Sequence, residues 1–83
     1  MNDENKQNAI AYVRCDIALL SEQDDYQERH GFHHRAQAGL FAIHAGGLIT
    51  HDELLALGQE IGEANEKAAK QCAARRLKEA GQA

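Results

Sequence analysis

The apolar positions of this chain recur at the spacing of α-helices. Ile10, Val13, Ile17 and Leu20 follow one another in steps of three or four residues, which places them on one helical face. The chain has no proline, good helix formers dominate, and the alternation of apolar and polar residues typical of strands is absent. Breaks are expected at glycines 31, 46 and 47. The pattern therefore predicts an all-α fold of three helices, at about 3–28, 32–45 and 51–80, the last of them long.

The first helix carries a second apolar stripe, made of Tyr12, Cys15, Leu19 and Tyr26. A helix that is apolar on two faces is usually contacted from two sides. In a three-helix protein, one side can face a neighbouring helix and the other a partner. Ser21 and Asp24 form the S-x-x-D pattern of a capping box. A break and restart at this point is therefore the alternative to one helix that continues to residue 28.

The start of the third helix is the clearest local signal. Thr50 and Glu53 form the T-x-x-E pattern of a capping box, in which each side chain accepts a hydrogen bond from the other residue's backbone N–H. Ile49 and Leu54 are spaced for a hydrophobic staple across this helix start. The pair Gly46-Gly47 supplies the left-handed residue that ends the second helix. Because the connection is short, the second and third helices are predicted to form an antiparallel hairpin.

The predicted helices differ in length. A helix over 51–80 spans about 45 Å, whereas one over 32–45 spans only about 21 Å. The third helix therefore overshoots the second, and its far half, from residue 65 on, is a basic, alanine-rich extension of a single domain over 1–83. This half carries a seam of small residues, namely Ala64, Ala68, Ala69, Cys72 and Ala73. Such a seam must pack on another helix, either the first helix or a second copy, and we expect a homodimer.

The net charge of −4 is unevenly distributed along the 83 residues. Residues 1–28 carry seven acids and two bases, whereas residues 67–83 carry five bases and one acid. An acidic patch is a plausible docking surface for a basic partner. The basic end either complements the negative end of the helix dipole or binds nucleic acid, although the acidic body would repel phosphates.

The cellular location follows from the apolar content of the chain. The segment Met1–Asn5 is polar, and no stretch of about 18 apolar residues occurs. We therefore expect a cytoplasmic protein with no membrane partner, in the host cytoplasm if a phage encodes it. Cys15 and Cys72 are expected as thiols, since disulfides are rare in that compartment.

A local resemblance covers residues 40–54. The run Gly47-Leu48-Ile49-Thr50-His51-Asp52-Glu53-Leu54, preceded by Leu40-Phe41-Ala42-Ile43, resembles the short bacterial SHOCT-type helical hairpin. That family shows a leucine-rich turn followed by G-x-I-T-x-x-E and an apolar residue. The resemblance implies interaction and oligomerisation rather than catalysis. The usual SHOCT chain lacks the histidines and the long alanine-rich extension of this one.

The whole chain also looks like the short accessory proteins of bacteriophages and mobile elements. Many of those proteins are small, acidic, helical inhibitors of host machinery, including CRISPR complexes. This resemblance lies in size, charge and helical composition, and no residue motif carries it. It implies an inhibitor that binds a host protein complex.

Five histidines are a high number for 83 residues. His30, His33 and His34 form H-x-x-H-H around Gly31. On a helix, His30 and His34 would face the same side and could bind zinc or nickel, with Asp24 or Glu28 as a third ligand. The alternative is a polar turn between helices, and no cofactor is expected.

No catalytic residues are predicted. Ser21 and Thr50 are better explained as helix caps, and neither cysteine has a signalled orienting partner. His51-Asp52 resembles the dyad of metal-dependent phosphohydrolases, but the further ligands that such a site needs are missing. The sequence therefore predicts a protein that is not an enzyme.

Three functional hypotheses follow. The first is a protein-binding module or inhibitor that uses Tyr12, Glu22, Asp24, Asp25, Tyr26 and Glu28. The second is a dimeric, nucleic-acid-associated regulator that uses Lys67, Lys70, Arg75, Arg76 and Lys78. The third is a small metal-binding protein that uses His30, His33 and His34.

Overall fold

The protein is a bundle of three α-helices. The computed structural model describes residues 2–82, with the side chains of residues 3–81. The helices are α1 (Asn2–Ser21), α2 (Tyr26–Ala45) and α3 (His51–Gln82). The predicted all-α class with a long C-terminal helix is confirmed, and residues 2–82 contain no strand. Met1 and Ala83, the ends of the predicted single domain, lie outside the described residues.

The break between α1 and α2 follows Ser21, as in the predicted alternative of a break and restart near the Ser21–Asp24 pattern. α1 ends at Ser21 rather than near residue 28, and α2 begins at Tyr26 rather than at Phe32. Asp25 is the N-cap of α2, with an extended backbone (φ −103°, ψ 134°), and its carboxylate accepts a hydrogen bond from the Glu28 N–H at 3.1 Å. The Ser21 hydroxyl instead donates to the Ala18 carbonyl at 2.7 Å. Asp25, four residues after the predicted N-cap Ser21, is thus the residue that caps α2.

Gly31 lies inside α2 and does not interrupt it, contrary to the sequence prediction. A glycine inside a helix costs only about 1 kcal/mol relative to alanine, which the packing of the flanking turns can offset. A Cβ atom built at Gly31 meets no atom within 4 Å. Gly31→Ala should therefore raise the free energy of unfolding by about 0.5–1 kcal/mol, measured by chemical denaturation.

Gly47→Ala is the matched control for that substitution, because Gly47 has a φ of +75°. An alanine in this left-handed conformation should lower the free energy of unfolding by about 1–2 kcal/mol. Stabilisation by both substitutions, or by neither, would contradict a continuous α2 that ends at a left-handed glycine.

The turn between α2 and α3 is built from two local motifs. At the end of α2, the Leu48 N–H donates to the Ile43 carbonyl and the Gly47 N–H donates to the His44 carbonyl, which is a Schellman motif. At the start of α3, the Glu53 N–H donates to the Thr50 hydroxyl at 3.1 Å, and the Thr50 N–H donates to the Glu53 carboxylate at 2.7 Å. The predicted capping box is thus confirmed, and the antiparallel hairpin follows from these motifs.

The core lies between the three helices and is small. Its buried side chains are Val13, Ile17 and Leu20 of α1, Ala36 and Leu40 of α2, Ile49 of the turn, and Leu57, Ile61, Ala64 and Ala68 of α3. The predicted first stripe of α1 is therefore its core face. Ala64 and Ala68 are covered within the chain, so this part of the predicted small-residue seam does not require a second copy.

Polar contacts also join the helices. Arg14 of α1 forms two hydrogen bonds, at 3.2 and 2.9 Å, with the Glu60 carboxylate of α3. The Asp16 carboxylate, which is buried, lies 3.3 Å from the guanidinium of Arg35 in α2. Asp16 is the buried charged residue of the described chain, and no pattern in the sequence indicated its burial.

The molecule is elongated, with extents of 56 × 17 × 15 Å. α3 has 32 residues and spans about 48 Å, whereas α1 and α2 have 20 residues each and span about 30 Å. α3 therefore projects beyond the other two helices, and residues 73–81 are all exposed. None of the helices within residues 2–82 is both long enough and apolar enough to cross a membrane.

Candidate protein-binding surfaces

One face of α1 presents apolar side chains to solvent. Tyr12 is 59% exposed, Leu19 is 37% exposed, and Cys15 lies between them and is also exposed. These residues are three and four positions apart and share the face opposite the core, and Glu22 continues the same spacing after the helix end. We call Tyr12, Cys15, Leu19 and Glu22 the α1 outer stripe. The predicted second stripe of α1 thus faces solvent in the single chain.

The acidic turn between α1 and α2 is partly committed to internal contacts. The Asp25 carboxylate caps α2 through the Glu28 N–H. The Asp24 carboxylate lies 3.1 Å from the Arg75 guanidinium of α3. Glu22 and Glu28 form no ion pair with any residue whose side chain the structure describes. These two glutamates therefore carry the acidic charge that is available to a partner.

Gln71 of α3 fixes this turn. Its side-chain amide donates to the Ser21 carbonyl at 3.0 Å and to the Gln23 carbonyl at 2.8 Å. These carbonyls lie at and just after the end of α1, where no further helical turn supplies a donor. The turn is therefore held against α3, although no sequence pattern pointed to Gln71.

The predicted acidic and basic sites lie at the same end of the molecule. Arg75 pairs with Asp24 and, at 2.9 Å, with Glu79, and the hydrogen bond to Glu79 followed by the charge of Asp24 raises the pKa of Arg75. The Lys70 Nζ atom lies 3.7 Å from the Glu66 carboxylate. Within the described part of the chain, Lys67, Arg76 and Lys78 form no ion pair. This end is therefore a surface of mixed charge rather than separate acidic and basic patches.

Tyr26 is an exposed aromatic residue at this end. It is 59% exposed, and the Arg29 guanidinium carbon lies 5.2 Å from the centre of its ring. Arg29 also donates to the Asn65 side-chain oxygen of α3 at 2.9 Å. Tyr26 lines a cleft with Ala73 and Leu77 of α3. Tyr26 thus belongs to the α2–α3 side of the molecule and lies apart from the α1 outer stripe.

A groove between α2 and α3 is an apolar surface that the sequence did not reveal. We call it the α2–α3 groove, and it is lined by Gln37, Leu40, Phe41, Leu54, Leu55, Gly58 and Ile61. Phe41 is 63% exposed and Leu55 is 59% exposed. None of the lining residues is charged. One residue could have pointed to an exposed apolar surface on α3. Leu55 is apolar but lies off the helical face that Leu57 and Ile61 share.

The histidines of the alternative metal site, His30, His33 and His34, all lie within α2. His30 and His34 are exposed on α2, whereas His33 is half-buried. Among the residues that the structure describes, no three His, Cys, Asp or Glu side chains lie together in a group that could hold a metal ion. Burial, followed by the nearby positive charge of Arg29, lowers the pKa of His33 and favours its neutral form.

No protein-family model, curated protein or solved structure matches this chain. The resemblance of residues 40–54 to the SHOCT-type hairpin stays a prediction. Function is therefore inferred from the surfaces of the chain itself. These are the α1 outer stripe, the mixed-charge end and the α2–α3 groove.

Proposed function

We propose that this chain is a non-catalytic protein-binding module that uses the α1 outer stripe and the neighbouring Glu28. The observation that carries the proposal is the exposure of Tyr12 and Leu19 on a helix whose opposite face already fills the core. Large apolar side chains grouped on one exposed helical face are typical of an interaction surface. Tyrosine is also enriched among the residues that dominate binding energy.

The chemistry of the stripe indicates the partner. Glu28 and Arg35 line a shallow depression on α2, and Arg35 pairs with Asp16 of α1, so Glu28 lies on the side of α2 that borders α1. Glu22 lies at the end of the stripe itself. An apolar stripe with glutamates at one end complements a protein surface that has an apolar cleft beside basic residues. A basic protein or protein complex is therefore the proposed partner.

The biological setting is part of the same proposal. An acidic body and a helical fold support an inhibitor of a host complex, of the kind that phages and mobile elements encode, anti-CRISPR proteins included. We place its action in the cytoplasm, where Cys15 and Cys72 stay reduced. We also propose that the chain is a homodimer, because α3 projects beyond its own core.

Binding should depend on the α1 outer stripe. Tagged wild-type chain and the variant Tyr12→Ser/Leu19→Ser are used to capture proteins from a host lysate, and the captured partner is then purified for titration. The double variant should bind the partner at least about tenfold more weakly, because it removes two apolar anchors. Glu22→Lys/Glu28→Lys should weaken binding in a salt-dependent manner. Asp24 and Asp25 are left unchanged because of their internal roles.

The matched control is Lys67→Glu/Arg76→Glu, which changes two exposed bases on α3 that have no ion pair among the described residues. It should leave partner binding unchanged. Unaltered affinity of both α1 variants would contradict the proposal. Binding of nucleic acid with a steep salt dependence, lost in the Lys67→Glu/Arg76→Glu control, would favour the nucleic-acid regulator instead.

A further inference from the structure

The projecting end of α3 carries an apolar side chain that its own chain does not cover. Leu77 is 75% exposed, more than any other large apolar side chain that the structure describes. It lies beyond the last partly buried position, Cys72, in a segment whose residues are all exposed. A helical segment of about ten residues that projects from the core is marginal in water unless it packs on another surface.

The α2–α3 groove is an uncovered apolar surface at the other end of the molecule. Phe41 and Leu55 stand beside Gly58, where the helix surface has no side chain. A Cβ atom at Gly58 would meet only the Leu40 side chain, at 4.0 Å, so packing within the chain does not require a glycine. Leu77 cannot reach this groove in its own chain, since 19 residues of one helix place it about 28 Å from Gly58.

The charges along α3 indicate which kind of helix could pack against it. Residues 51–66 contain five acids and no lysine or arginine, whereas residues 67–82 contain five bases and one acid. A second α3 that runs antiparallel places each basic half beside an acidic half, whereas a parallel arrangement would place like charges together.

We propose that the α2–α3 groove binds the C-terminal end of α3 from a second copy of the chain, so that Leu77 of each copy packs over Gly58 of the other. The inference rests on the proposed homodimer and specifies its interface. The midpoint between positions 58 and 77 falls between Lys67 and Ala68, one residue from the point where α3 changes from acidic to basic. The proposed Leu77–Gly58 pairing and the change of charge along α3 therefore place the two-fold axis at nearly the same point, and both grooves are filled in a closed dimer.

Sizing with light scattering tests the interface. Wild-type protein should have the mass of two chains of 9.1 kDa, and high salt should weaken the dimer. Leu77→Asp should weaken dimerisation at least about tenfold, because it places a charge in an apolar groove. Its matched control is Leu19→Asp, another exposed leucine, which should leave the dimer intact and weaken binding of the other protein. Circular dichroism should show that both variants remain helical.

A disulfide test reports the register directly. In a background of Cys15→Ser/Cys72→Ser, the variant Gly58→Cys/Leu77→Cys should oxidise to a covalent dimer linked between positions 58 and 77. These positions are too far apart for a bond within one chain. Gly31→Cys/Leu77→Cys, with its first cysteine outside the groove, should cross-link poorly.

The outcomes separate the two proposals. A wild-type monomer at all concentrations would overturn both the homodimer and this interface. A dimer that tolerates Leu77→Asp and forms no 58–77 disulfide would overturn the interface and leave the homodimer standing. Neither result bears on binding by the α1 outer stripe, which the Tyr12→Ser/Leu19→Ser variant tests.

Discussion

Leu20→Ala should lower the free energy of unfolding by about 3–4 kcal/mol. Leu20 has no exposed surface and is one of the largest fully buried side chains of the described core. Truncation removes its buried methyl groups and leaves a cavity that a three-helix core with few large side chains cannot easily close. A chain of 83 residues has a total stability of only about 4–12 kcal/mol. The variant should therefore unfold at a much lower denaturant concentration.

Leu19→Ala is the control for this substitution, because it makes the same chemical change at the adjacent position. Leu19 is exposed on the α1 outer stripe, so we expect a loss below about 1 kcal/mol. Both variants are compared by urea denaturation followed by circular dichroism at one protein concentration, since dimerisation would shift the midpoint. Equal losses for the two variants would mean that α1 packs with a different face against α2 and α3.

Arg35→Ala should lower the free energy of unfolding by about 1–3 kcal/mol. Its loss leaves the buried Asp16 carboxylate without the one ion-pair partner that the structure describes for it. The cost of this unpaired buried charge is reduced because the Arg35 side chain is itself more than half exposed, so water can reach the site. Denaturation at neutral pH measures the loss.

Two comparisons identify the cause of that loss. Arg14→Ala breaks the ion pair with Glu60, in which Arg14 is exposed and Glu60 is partly exposed, and should cost less than about 1 kcal/mol. Adding Asp16→Asn to Arg35→Ala removes the unpaired charge and should restore part of the stability. If the second substitution lowered stability further, burial of the Asp16 charge would not explain the effect.

The start of α3 and the end of α2 could be predicted because their determinants are local. The Thr50–Glu53 capping box and the turn at Gly46-Gly47 satisfy backbone groups within a few residues, so the sequence alone specifies them. The α1–α2 break was predicted less well. Ser21, Asp24, Asp25 and Gly31 are all possible breakpoints by local criteria. In the structure Asp25 caps the start of α2, and the side-chain amide of Gln71 in α3 holds the turn that precedes it.

The candidate surfaces were predicted in part. The sequence indicated that α1 has two apolar stripes, but it did not distinguish the core stripe from the solvent-facing one. It treated the acidic turn and the basic end of α3 as separate sites, whereas Asp24 and Arg75 are in contact. The α2–α3 groove was missed, because it exists only where side chains from two helices stand next to each other.

The sequence by itself determined that this protein is all-helical, where α3 begins, that α3 is the longest helix, and that its charge changes sign near the middle. These properties follow from periodicity, capping and composition, which act within a few turns of chain. Only the tertiary structure decided which α1 stripe is buried, that Asp16 is buried beside Arg35, and that Phe41 and Leu55 border one groove. These depend on how three helices rotate about their axes as they pack, and contacts distant in sequence set that rotation.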